Sequence, residues 1–80
     1  MNISGAVRIR IIELCNDRGI TVNKLSTICG ITQSTLNNIM HREGSNPTVA
    51  TVKKICDGLE ISMSEFFTSE IFDTLEQEIK

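Results

Sequence analysis

Apolar residues recur along this chain at spacings of three and four, and most of the runs stop at a residue that can end a helix. Val7, Ile11, Leu14 and Cys15 share one face of a first helix, and Gly19 follows at a position suited to a left-handed cap. Thr21 can cap a second helix with Val22, Leu25 and Ile28 inward, closed by Gly30. Thr32 can cap a third, with Leu36, Ile39 and Met40 apolar. Residues 43–47 (EGSNP) form the one clear loop. A fourth helix is expected over 48–57, burying Val49, Val52, Ile55 and Cys56, with Gly58 as its stop. Ser62 and Glu65 then have capping-box spacing and open a short fifth helix carrying Phe66 and Phe67.

From Ser69 onward Ile71, Phe72, Leu75 and Ile79 stand three or four apart with acids between them, the pattern of an amphipathic C-terminal helix. There is no sustained period-two alternation and no Asn-Gly or Asp-Gly hairpin turn. The reading is all-α, with a five-helix body over 1–67 and an acidic amphipathic tail over 68–80.

A chain of 80 residues that is 40% hydrophobic can build one modest core but not a core and a large pocket. Its only aromatics are three Phe, too few for stacking on single-stranded nucleic acid. No apolar run reaches membrane-span length and no leader pattern opens the chain, so a cytoplasmic location is expected. Cys15, Cys29 and Cys56 are odd in number and far apart, which fits reduced, packed thiols better than disulfides. The single His41 is too distant in sequence to complete a zinc site, and no nucleophile–base pair or phosphate-cradling glycine loop is present. No enzymatic activity, cofactor or metal is expected.

The net charge of −2 changes meaning once it is divided. Residues 1–64 carry seven basic against five acidic side chains. Residues 65–80 carry Glu65, Glu70, Asp73, Glu76 and Glu78 against Lys80. The acidity sits in the tail, and the body can approach a polyanion.

Residues 21–40 (TVNKLSTICGITQSTLNNIM) have the layout of a two-turn helix, a glycine corner and a capped three-turn helix, which is helix-turn-helix spacing. Leu25 and Ile28 are expected to meet Leu36 and Ile39, Ser26 to be small at the close approach, and Gly30 to supply a positive φ. Gln33, Ser34, Asn37 and Asn38 are then left on the outer face of the second of these helices. That face carries none of the Glu and Lys usual on a solvated helix.

On these grounds residues 8–67 resemble the Xre/Cro-like, phage-repressor type of helix-turn-helix domain. Three blocks carry the resemblance at matching distances: RIIELCNDRGIT (10–21), LSTICGITQSTLNNI (25–39) and NPTVATVKKICDGLEISMSEFF (46–67). It implies a five-helix, lambda-repressor-like fold that binds operator DNA, commonly as a homodimer, and regulates transcription, with repression the expected outcome. It implies base contacts from Gln33, Ser34 and Asn38, with Asn37 adjacent. Gln and Asn can pair with adenine across two hydrogen bonds in the major groove. Thr21 and Thr32 are the implied phosphate contacts, followed by Lys24, His41 and Arg42. This chain departs from the pattern at Val22, where relatives often carry Gln, and at Ser26, where Ala is usual. Its reading helix has no Arg or Lys before Arg42. Few phosphate cations imply weak binding per monomer and a shallow salt dependence, so either dimerisation compensates or DNA binding has been weakened.

Ile9 and Ile12 lie where relatives usually carry polar residues. They and the tail face could pair within the chain or across a dimer. A module that binds a protein partner through the tail, as an antitoxin or anti-repressor would, is the competing function.

Overall fold

The computed structural model describes residues 1–42 and 46–79. Of the expected 43–47 loop, residues 43–45 therefore lie outside the described residues. The order is α1 (Ile3–Arg18), α2 (Val22–Cys29), α3 (Gln33–His41), α4 (Val49–Leu59) and α5 (Met63–Phe66), then one 3-10 turn over Glu70–Phe72. Among the described residues there is no strand.

Each α-helix starts on a side-chain cap. Asn2, Thr21, Thr32, Thr48 and Ser62 accept from the backbone N–H three residues on, at 2.9–3.1 Å. Caps of this kind contribute about 1 kcal/mol each, which matters for helices as short as eight residues. Three helix ends share one closure. Gly19, Gly30 and Glu60 take left-handed φ of 64°, 68° and 58°. The next residue's N–H then reaches back into the last turn: Ile20 to Cys15 O, Ile31 to Ser26 O and Ile61 to Cys56 O, each at 3.0 Å. The isoleucine that donates in each case packs on the core, so every turn is fixed by a hydrogen bond and by apolar burial.

The closure at Glu60 corrects the expectation for Gly58, which lies inside α4 and does not stop it. A Cβ at Gly58 would stand 2.5 Å from Cys29 Sγ and 3.0 Å from Cys29 Cα. Gly58 thus lies directly against α2, the helix with which α4 packs most extensively.

The core is formed by Val7, Ile11, Leu14 and Cys15 of α1, Leu25 of α2, Ile31, Leu36 and Ile39, then Val52, Ile55, Cys56 and Leu59 of α4, and Phe66. Each fully buried Leu, Ile or Phe contributes about 1.5–3 kcal/mol. Two inward expectations fail. Ile28 is 41% exposed, because the inward line of α2 runs through Val22, Leu25, Ser26 and Cys29 and leaves residue 28 on the flank. Val49 is 76% exposed, because the buried face of α4 begins a turn later at Val52.

The tail is not an amphipathic α-helix. After one 3-10 turn the chain runs irregularly to residue 79. Phe72 stacks edge-on to Phe67 at 5.0 Å and lies 6.4 Å from Phe66, and the turn rests against α1. Glu76 N–H donates to Met1 O at 3.2 Å and its carboxylate lies 3.4 Å from the Met1 ammonium. A helix of so few residues is marginal in water, whereas this path gives Phe72 an aromatic pocket. The tail turn thus packs on α1 and on the two phenylalanines of its own chain. Ile9 is half-buried, Ile12 is 45% exposed, and Ile79 stays 88% exposed.

Candidate nucleic-acid interface

The α2–α3 corner is built from the expected Leu25, Ser26, Gly30, Leu36 and Ile39, without Ile28, which stays exposed on the flank. Gly30 turns the chain with its positive φ, and Ile31, Leu36 and Ile39 are buried below. Ser26 is 2% exposed, its hydroxyl donating to Asn23 O at 2.7 Å, so the close approach costs no unpaired polar group. With Leu36 and Ile39 fixed inward, the helical period turns Gln33, Ser34, Asn37 and Asn38 to solvent, and all four are exposed. Amide and hydroxyl groups on one helix face can each donate and accept, the capacity that edge recognition of base pairs requires.

The α3 start differs in detail from expectation. The Thr32 hydroxyl accepts from Thr35 N–H at 3.1 Å and donates to Thr35 Oγ at 2.8 Å. Its hydrogen is committed, and the exposed Thr35 hydroxyl keeps its own hydrogen for an incoming group. Sequence reasoning did not single out Thr35; its place three residues after a threonine cap was the available signal. Thr21 accepts from Lys24 N–H at 3.1 Å, and both residues are exposed beside the α2 start. His41 and Arg42 are exposed at the far end of α3. Asn46 accepts a hydrogen bond from the Ser4 hydroxyl, which ties the chain ahead of α4 to the first turn of α1.

Two arginines that the sequence showed only as charge have specific partners. Arg8 Nε and Nη2 donate to Ile39 O at 2.6 Å and Arg42 O at 3.0 Å, at the carboxyl end of α3. Arg10 makes the same side-on fork at the end of α5, to Phe66 O at 2.6 Å and Glu65 O at 2.8 Å, and holds Glu13 at 3.3 Å. Both forks put positive charge on the negative end of a helix.

The cysteines are all free thiols. Cys15 and Cys56 are buried and Cys29 is half-buried against Gly58. Burial, then the neighbouring Cys15 and Cys56 thiols, push Cys29 up to about 11. Among the described residues no group of three or more His, Cys, Asp or Glu could hold a metal ion. A cleft of about 340 Å³ between the starts of α1 and α4 and α5 is lined by Ile3, Val7, Val52, Met63 and Phe67, and no α3 residue borders it. No helix among the described residues is long and apolar enough to cross a membrane.

Five capped helices with an α2–α3 corner presenting a polar outer face define a helix-turn-helix domain. Residues 10–70 match the Cro/C1-type HTH DNA-binding domain, and the chain belongs to that family. It is 36% identical over 62 residues to the HTH-type transcriptional regulator SlrR of Bacillus subtilis (strain 168). That match takes in 76% of this chain and 41% of SlrR, so the chain spans about two fifths of that relative's length. Its fold is similar to the crystal structure of the prophage Lp1 protein 11, with a TM-score of 0.81 and 29% identity, covering 94% of this chain and all of that one.

Proposed function

We propose that the protein is a sequence-specific, double-stranded-DNA-binding transcriptional regulator, acting as a repressor, that lays α3 in the major groove. The observation that carries this is the exposed, uncharged, hydrogen-bonding face of Gln33, Ser34, Asn37 and Asn38 on the second helix of the corner. Gln33 and Asn38 read adenine edges, and Ser34 and Asn37 contact neighbouring positions. Phosphates are held by Thr21 and Lys24 at the α2 start, by the Thr32–Thr35 pair and free amides at the α3 start, and by His41 and Arg42 at its end.

Few of these groups are cationic, so one copy binds weakly. A homodimer placing two α3 helices in successive major grooves, about 34 Å apart, supplies the affinity and implies a two-fold operator. Repression follows from occupying promoter DNA. The alternative of a module gripping a partner through the tail has less apolar surface to draw on, because Phe72 packs against the protein's own core and, among the described residues of the tail, Ile79 is the one large apolar side chain that is fully exposed.

Selection from a random duplex library, at low and at physiological salt, tests the proposal, with the Gln33→Ala/Asn38→Ala double variant as control. Enrichment of an inverted repeat that the double variant fails to enrich is the expected result. A folded protein that enriches no sequence at either salt would overturn it.

A further inference from the structure

The reading face of α3 is useful only if the helix is held at a fixed angle and depth. Base contacts that need two hydrogen bonds tolerate displacements of about half an ångström. The principal helix support of α3 is α2, joined to it through the Gly30 corner at its amino end. The carboxyl end has a different anchor. Arg8, half-buried on α1, spans to α3 and grips Ile39 O at 2.6 Å and Arg42 O at 3.0 Å with two N–H groups of one planar guanidinium. These carbonyls bracket the last turn of α3, directly after Asn38 and beside the exposed His41 and Arg42.

We infer that Arg8 is a positioning residue for sequence reading: its guanidinium fork on the carboxyl end of α3 sets the angle at which Asn37 and Asn38 meet the bases. The inference rests on the proposed DNA reading and deepens it. Arg8 touches no base in this account. It acts through the backbone of α3, with α1 as the fixed reference. A planar fork does this where an ammonium does not, because two N–H groups on one rigid edge fix both distance and direction, whereas Lys offers a single rotatable head. Arg10 supplies an internal control. Its fork has the same chemistry and nearly the same distances but ends on α5, away from the reading face.

The test compares the wild-type protein with Arg8→Lys, Arg8→Ala and Arg10→Lys. Affinity is measured for the selected operator and for a scrambled duplex of equal length, at a temperature where circular dichroism shows each variant folded. Arg8→Lys is expected to lower the operator-to-scrambled ratio about tenfold while scrambled-duplex affinity stays within about threefold, because the charge is kept and the fork is lost. Arg10→Lys is expected to lower the melting temperature and leave the ratio unchanged. In the free protein, amide exchange over residues 38–42 should accelerate in Arg8→Lys and not in Arg10→Lys. An Arg8→Lys protein with wild-type discrimination overturns the inference alone, as does an equal loss of ratio in both Lys variants. A wild-type protein with no operator preference overturns the DNA reading and this inference with it.

Discussion

Replacing Gly58 with alanine sets two effects against each other, and the geometry decides between them. In a helix interior Gly→Ala normally stabilises by about 1 kcal/mol, because alanine has less backbone entropy to lose. Here the added methyl would lie 2.5 Å from Cys29 Sγ, 3.0 Å from Cys29 Cα and 3.2 Å from Cys29 Cβ. The sulfur can rotate aside, but the Cα belongs to the α2 backbone and cannot move without separating the helices. Overpacking of this kind costs about 1–3 kcal/mol, and contact with backbone places it toward the upper end. The net expectation is a loss of about 1–2 kcal/mol, or a fall in melting temperature of about 5–15 °C for a domain of this size. Thermal unfolding followed at 222 nm measures it. The Cys29→Ala/Gly58→Ala double variant removes the closest contact and should recover part of the loss, a coupling of about 0.5–1 kcal/mol. A Gly58→Ala protein that melts higher than wild type would refute the close approach of α2 and α4.

Other consequences are as direct. Glu60 holds a left-handed φ of 58° at the end of α4, so Glu60→Gly should raise stability by about 1 kcal/mol in chemical denaturation, and no gain would argue against that conformation. Phe72→Ala should lower stability by about 1–2 kcal/mol by emptying the aromatic cluster, whereas an unchanged denaturation midpoint would mean the tail does not pack there. Cys29, raised to about 11 in the folded protein, should react with iodoacetamide at pH 8 roughly a hundredfold more slowly than in the urea-unfolded chain. Because its folded value lies above its unfolded one, the stability tied to this thiol is complete below about pH 9 and is lost as pH climbs toward 11; pH-dependent melting that is flat across that window would contradict the burial.

The helix-turn-helix was legible because its determinants are local. Gly19 and Gly30 announce left-handed turns, and Thr21 and Thr32 announce caps. Fixing Leu36 and Ile39 inward turns residues 33, 34, 37 and 38 outward by the helical period alone. What sequence reasoning missed depends on tertiary neighbours. Gly58 looked like a stop because glycine usually is one, yet it is required by Cys29 across a helix interface, and Glu60 takes the strained turn two residues later. Ile28 and Cys29 differ by one step of rotation, and only the position of α4 decides which faces in. The tail carried a genuine helical period, but the gain from packing Phe72 against Phe67 and Phe66 outweighed that of a short isolated helix. Arg8 and Arg10 bind backbone carbonyls, which every residue has, so no partner pattern marks them in the sequence.

The central claim is that the outer face of α3 reads bases. The most direct measurement pairs Gln33→Ala and Asn38→Ala with every single-base-pair substitution of the selected operator, in a full set of binding titrations at one salt concentration. Each residue should lose about 1–3 kcal/mol on the intact operator, and each variant should become indifferent to substitution at one base pair while keeping wild-type discrimination elsewhere. A loss spread evenly over all sequences, or no loss in folded variants, would contradict the claim.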